Sequence, residues 1–352
     1  MIVPRTLLLV CVGVVASVLA GTVLIVQHVF SPADVFALTN AEQEEYWKTA
    51  IEEKGADAAY KTFSKSVANL SYAQQHVQAH VFGGVLYATL GTDGLAVCDS
   101  QFSFGCFHEF LGRAIADLGV VSVPELNQAC IDSLGSNALS CQHGIGHGVQ
   151  SYFGYDREHL EESLAVCSDL PFSDPIGGCY GGAFMEYNVR TMLADQATAR
   201  EFGTSELDPC DSLERPEYTR ACIYWQPQWW HAALFSSGLT EREYIIMGSY
   251  CDAFAEDNEV LQRSCYEGIG NITAFAAGFD PERAKVLCDV TSRDPIKQLF
   301  CRSIVANHLG IDVSIEIGER MCNDYAEKTK EYCLAYARNE ANIAQELFLQ
   351  NL

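Results

Sequence analysis

Fourteen of the fifteen cysteines fall into seven successive pairs, and no other feature constrains the fold of these 352 residues as tightly. The pairs are Cys98 and Cys106, Cys130 and Cys141, Cys167 and Cys179, Cys210 and Cys222, Cys251 and Cys265, Cys288 and Cys301, and Cys322 and Cys333. Seven to thirteen residues separate the members of a pair, and the first members recur at intervals of 32, 37, 43, 41, 37 and 34 residues. A period of this size marks stacked helical units. No pair has the C-x-x-C spacing of zinc or iron–sulfur sites, and no C-x-x-C-H haem attachment occurs. An even count in register with a repeat favours disulfides, each within its own unit.

The residues around each pair read as a helix, a loop and a second helix. Thr240 and Glu243 have capping-box spacing ahead of Cys251, and Asp280-Pro281 and Asp294-Pro295 set a cap residue before a first-turn proline. Gly119, Gly154 and Gly278 each lie thirteen residues past the second cysteine, where a helix C-cap is expected. The bridge then ties the end of one helix to the start of the next, at a separation a disulfide spans. An unstapled unit precedes the seven. His80–Gly91 (HVFGGVLYATLG) and His108–Gly119 (HEFLGRAIADLG) share H-x-F-x-G-x-x-x-A-x-L-G, with Gln78 in the place of Cys106.

The unit of Cys98, Cys106 and the following Phe110, Leu111 and Gly112 resembles the disulfide-bridged Sel-like repeats, relatives of tetratricopeptide repeats. The resemblance is specific for this one unit; the other six pairs are spaced more widely. It implies a curved superhelix that binds partners and does not identify the ligand.

Residues 7–26, LLLVCVGVVASVLAGTVLIV, carry no charge, enough helix to cross a bilayer. Arg5 precedes the run, and Asp34, Glu42, Glu44 and Glu45 follow it. This asymmetry predicts an uncleaved signal anchor, favoured over a cleaved signal peptide because the run extends past Ala20. The expected organisation is a cytoplasmic N-terminus over 1–6, a transmembrane helix over 7–28, a juxtamembrane linker with a leading helix over 29–68, and an array over 69–352. The fold class is thus all-α: a solenoid of about eight two-helix repeats, seven stapled by a disulfide, behind a transmembrane helix. A single-pass membrane protein with its main domain extracytoplasmic follows, in a compartment that permits disulfides. The net charge of −24 argues against nucleic acid as a partner.

Five of the nine histidines lie between His76 and His147. His80, His108 and His143 occupy one column of the repeat; His76 stands one turn before His80, and His147 one turn after His143. Spacing of i, i+4 puts both rings of a pair on one face, as on zinc-binding helices. Later units carry Gly181, Tyr224, Glu267, Ser303 and Ala335 in that column. Neighbouring helices pack about 8–10 Å apart, so all five histidines do not share one ion. The candidate ligand sets are His76, His80 and His108, or His108, His143 and His147, for zinc or another transition metal. Glu109 and Glu186 are the nearby carboxylates. The competing readings are histidines that bridge helix hairpins, and a metal-free catalytic or pH-sensing site. H-E-x-x-H is absent, so a metalloprotease is not supported.

Trp225, Trp229 and Trp230 form a candidate aromatic groove, set against a packing role. Asn271, Asn307 and Asn339 recur at one position of successive units, which suggests an asparagine ladder. Two functions follow as expectations. The first is an extracytoplasmic scaffold for a protein or peptide partner. The second is a metal- or haem-dependent activity, hydrolytic or redox, at the histidine cluster.

Overall fold

Each cysteine pair closes a bridge from one element to a residue within the first two turns of a following helix. In the computed structural model all seven bridges join consecutive partners, with Cα atoms 5.4–5.7 Å apart. The structure describes residues 35–349 except 136–137, 172–173, 193–199, 201–204, 235–239, 255 and 257.

Sixteen α-helices run in chain order among the described residues. They begin with α1 (Asn40–Lys54), α2 (Ala56–Val67), α3 (Tyr72–Leu90), α4 (Gly105–Leu118), α5 (Val123–Leu134) and α6 (Ala138–Phe153). Next come α7 (Arg157–Ser168), α8 (Cys179–Met192), α9 (Pro216–Trp229), α10 (Glu241–Phe254) and α11 (Glu259–Ala276). The last are α12 (Pro281–Val290), α13 (Pro295–Asp312), α14 (Ile315–Arg320), α15 (Glu327–Ala337) and α16 (Ala341–Leu349).

Eight of these, α3, α4, α6, α8, α9, α11, α13 and α15, form an inner layer in which each packs on the next. Two of them are buried on every side over long stretches: all residues from Cys141 to Gln150, and from Arg263 to Ala274, are buried. The outer helices bury one stripe only, as α7 does with Leu160, Ser163, Leu164 and Cys167. In the unit of Cys98 a 3-10 turn at Gly91–Val97 takes the place of the outer α-helix, and a 3-10 turn at Cys210–Ser212 carries the first cysteine of the fourth pair.

Glycines permit the inner helices to approach closely. A Cβ on Gly83 would collide with the Cys106 carbonyl, one on Gly146 with the Cys179 carbonyl, and one on Gly182 with the His143 carbonyl. Caps stand where the spacing predicts them. The Asp280 and Asp294 carboxylates accept from Glu282 N and Ile296 N, and Gly119, Gly154 and Gly278 have φ of 76°, 124° and 64°.

The fold class read from the sequence is corrected in one respect. It set the helical array behind a transmembrane helix, and among the described residues no helix is long and apolar enough to cross a membrane. The stretch 7–28 assigned to that helix lies outside the described residues. The segment 29–68 is also revised, because its described part holds two helices. Trp47 of α1 and Phe63 of α2 are fully buried, with both rings against Phe82 of α3.

Contacts are not confined to neighbours. The array curves until Tyr72, at the start of α3, meets Phe275 and Phe279 at the end of α11, with ring centroids 5.5 and 4.9 Å apart. Arg263 of α11 reaches Tyr336 Oη at 2.8 Å and Gln345 Oε1 at 3.0 Å, and donates to Glu267 Oε1 at 2.7 Å. Tyr332 and Tyr336 also donate to Glu267 Oε1. Glu267 thus anchors a buried network in the column that carries histidine earlier. Glu267→Ala is expected to cost about 3–5 kcal/mol, because Arg263 would remain buried and unpaired. A urea-unfolding midpoint within error of the wild type would refute this.

The asparagines do not form one ladder. Asn307 donates to the Tyr336 carbonyl at 2.8 Å and reaches Asn339 at 3.5 Å, whereas Asn271 pairs with His308 Nε2 at 2.8 Å.

Candidate metal centre

Five imidazoles from three successive inner helices meet in one cluster: His76 and His80 on α3, His108 on α4, His143 and His147 on α6. Ring centroids are 4.2–5.6 Å apart between neighbours in the cluster. The glycines of CQHGIGHG account for the approach. A Cβ on Gly144 would press on the Phe107 carbonyl and Leu111, one on Gly148 on Ile115 and the Leu111 carbonyl, and one on Gly146 on Cys179. With hydrogens at those positions, α6 lodges between α4 and α8, and imidazoles on adjacent helices come within ligand distance.

The nitrogens divide into two triads, His76–His80–His108 and His108–His143–His147, each with its ligand atoms within 4.8 Å of one another. These are the two ligand sets expected from the repeat. His76 and His80 of the first triad are half-buried; the second triad is wholly buried.

Most of the rings are tied on their far side. His76 Nδ1 donates to the Phe102 carbonyl at 2.7 Å. That carbonyl is presented by three consecutive left-handed residues, Phe102, Ser103 and Phe104, with φ of 57°, 48° and 64°. Such backbone costs about 1–2 kcal/mol per residue, so the surrounding packing must hold it. His147 Nδ1 donates to Glu186 Oε2 at 2.9 Å, and Tyr155 Oη donates to Glu186 Oε1 at 2.6 Å. His143 lies beside the backbone of Gly177 and Gly178. Glu109 Oε2 lies 4.0 Å from His80 Nδ1, and its Oε1 accepts from Arg113, which also pairs with Glu44.

The other ring nitrogens face inward. His80 Nε2 lies 3.1 Å from His76 Nε2 and 3.3 Å from His108 Nδ1. Because His76 carries its proton on Nδ1, its Nε2 presents a lone pair to the cluster. The Nε2 atoms of His108 and His147 are buried without a hydrogen-bond partner. Desolvation, followed by the neighbouring rings, depresses the pKa of His80 to about 3 and that of His108 far below the ordinary histidine value. Desolvation holds His76 and His143 low as well. A neutral imidazole is the form that ligates metal.

The tryptophans take other roles. Trp229 and Trp230 are 1% and 0% exposed, and Trp230 Nε1 donates to the Glu206 carbonyl. The aromatic groove is therefore corrected to core packing for these two, whose rings have no surface left for a ligand. Trp225 stands 5.4 Å from the His143 ring and donates to the Ile176 carbonyl, so it walls the second triad. Sequence reasoning missed Tyr155, the Phe102 carbonyl and the Gly177–Gly178 backbone, which carry no pattern of their own in the repeat.

Comparison with known proteins finds no matching family model, no matching curated protein and no matching solved structure.

Proposed function

We propose that the protein binds transition metal through this histidine cluster, in an oxidising extracytoplasmic compartment, and that the helical array is the scaffold that presents the ion. One observation carries the reading: His80 Nε2 lies 3.1 Å from His76 Nε2 and 3.3 Å from His108 Nδ1, within a triad whose ligand atoms all fall within 4.8 Å of one another. Nitrogens bound 2.0–2.1 Å from a tetrahedral ion stand about 3.3–3.4 Å apart. Without an ion these nitrogens hydrogen-bond to one another; with one, their lone pairs would turn to the metal instead. The outer tethers on His76 and His147 are the arrangement by which proteins fix ring orientation at a metal.

An all-imidazole set suits zinc, copper, iron or nickel. The half-buried first triad admits solvent, and three protein nitrogens with water as a further ligand support metal-bound water chemistry. Glu109, held by Arg113, is the carboxylate beside that triad. Seven disulfides support the compartment.

The test is elemental analysis of the full chain, purified without a histidine tag, incubated with zinc or copper and dialysed. Stoichiometric metal is expected in the wild type and a near-complete loss in the His108→Ala/His143→Ala double variant. A wild type that retains no ion sinks the reading and leaves a metal-free scaffold for a protein or peptide partner. Glu186→Gln removes the charge behind His147 and is expected to weaken metal affinity about 10–100-fold with helicity unchanged. Competition titration against a chromophoric chelator reads this; unaltered affinity would show that Glu186 does not support the site.

A further inference from the structure

We infer that His108 is a bridging ligand, its Nδ1 serving an outer ion with His76 and His80 and its Nε2 an inner ion with His143 and His147. The inference rests on the metal-binding reading above and adds to it the number of ions and their connection. His108 is the residue common to both triads. Its two nitrogens are already divided: Nδ1 lies 3.3 Å from His80 Nε2, while Nε2 is buried with no partner. The His108 ring stacks on His147 at 4.2 Å, and His147 Nε2 is likewise buried and unpartnered. A buried polar atom without a partner costs about 1–3 kcal/mol, and two such atoms on adjacent imidazoles mark a place where a cation would supply the missing interaction.

The other four rings do not compete for the bridging role. His76 and His147 each spend Nδ1 on an outer acceptor, Phe102 O and Glu186, and keep one nitrogen for an ion. His143 lies beside the Gly177–Gly178 backbone and belongs to the inner triad alone, and His80 Nδ1 faces Glu109. His108 alone in the cluster is surrounded by histidines, with rings from both α3 and α6 within 5.6 Å. When both of its nitrogens bind ions the ring is an imidazolate, and the single N–H proton of neutral His108 passes to solvent as the second ion enters.

The two positions differ in access. The outer set includes the half-buried His76 and His80 beside the exposed edge of Glu109; the inner set is closed by Trp225 and Glu186. The outer ion is therefore the exchangeable one.

Copper(II) alone serves as the probe, on the full-length protein. Wild type is expected to take up two equivalents and to show electron paramagnetic resonance intensity well below that of two independent ions, because an imidazolate bridge couples their spins. His143→Ala, with far-UV circular dichroism unchanged, is expected to hold one equivalent at full, uncoupled intensity. Brief exposure of the wild type to chelator should leave one equivalent, also uncoupled. Two equivalents with fully additive intensity would overturn the bridge, and so would saturation of the wild type at one equivalent, though metal binding itself would stand. A wild type that takes up no copper and no zinc would remove the metal reading and this inference together.

Discussion

Reduction of the seven disulfides is expected to unfold the chain at ambient temperature without denaturant. Each bridge closes a loop with a sequence separation of 8–14 residues. Loops of that size contribute roughly 2.5–3 kcal/mol each in the chain-entropy description. Even half of the combined effect matches the ~5–15 kcal/mol that separates folded from unfolded domains. The effect falls where the array has least redundancy. All seven bridges hold the inner helix within its first two turns, and among the described residues a 3-10 turn precedes the bridge at Cys98. Loss of these clasps frees the outer elements, exposes all-round apolar inner helices and favours aggregation. The measurement is far-UV circular dichroism with a thiol count after treatment with a phosphine reductant. A gain of fourteen titratable thiols accompanied by an unchanged cooperative melt would contradict the expectation.

Metal loading is expected to stabilise the folded state by about 4 kcal/mol when the free ion stands a thousandfold above its dissociation constant. The unfolded chain does not hold His76, His80, His108, His143 and His147 together, so the ion binds the native state in preference. The ligand-free fold also carries a cost that the ion relieves: buried Nε2 atoms on His108 and His147 with no partner. The effect should appear as a rise in Tm with zinc, reversed by chelator. In His108→Ala the rise should vanish, because that residue belongs to both triads. Identical melts of the wild type with saturating zinc and with chelator would dismiss the effect.

Much of the array was legible along the chain. Paired cysteines at a period near that of two helices define which elements clasp, and the bridges form between consecutive members because chain proximity brings those thiols together. Capping residues such as Asp280 and Asp294, and the positive-φ glycines Gly119 and Gly278, act through local geometry and so announce helix ends directly. The histidine column was legible for the same reason: a position in a repeat fixes the face of the helix it occupies.

What the tertiary structure decided is whatever depends on two distant segments at once. The curvature that brings Tyr72 to Phe275, and Arg263 to Tyr336, sums packing over many units, and no single repeat records it. The carbonyl of Phe102 meets His76 only because a left-handed stretch turns it inward, and Glu186 meets His147 only because Gly146 admits α8 so closely. Trp229 and Trp230 look like a binding surface in one dimension and are core in three, since apolar side chains carry no mark of which neighbour will cover them. The sequence by itself determined the clasps, the helix ends and which imidazoles share a face. Only folding decided how near those imidazoles come and which of their nitrogens stay free, because ring distance and orientation follow from helix approach and curvature rather than from spacing.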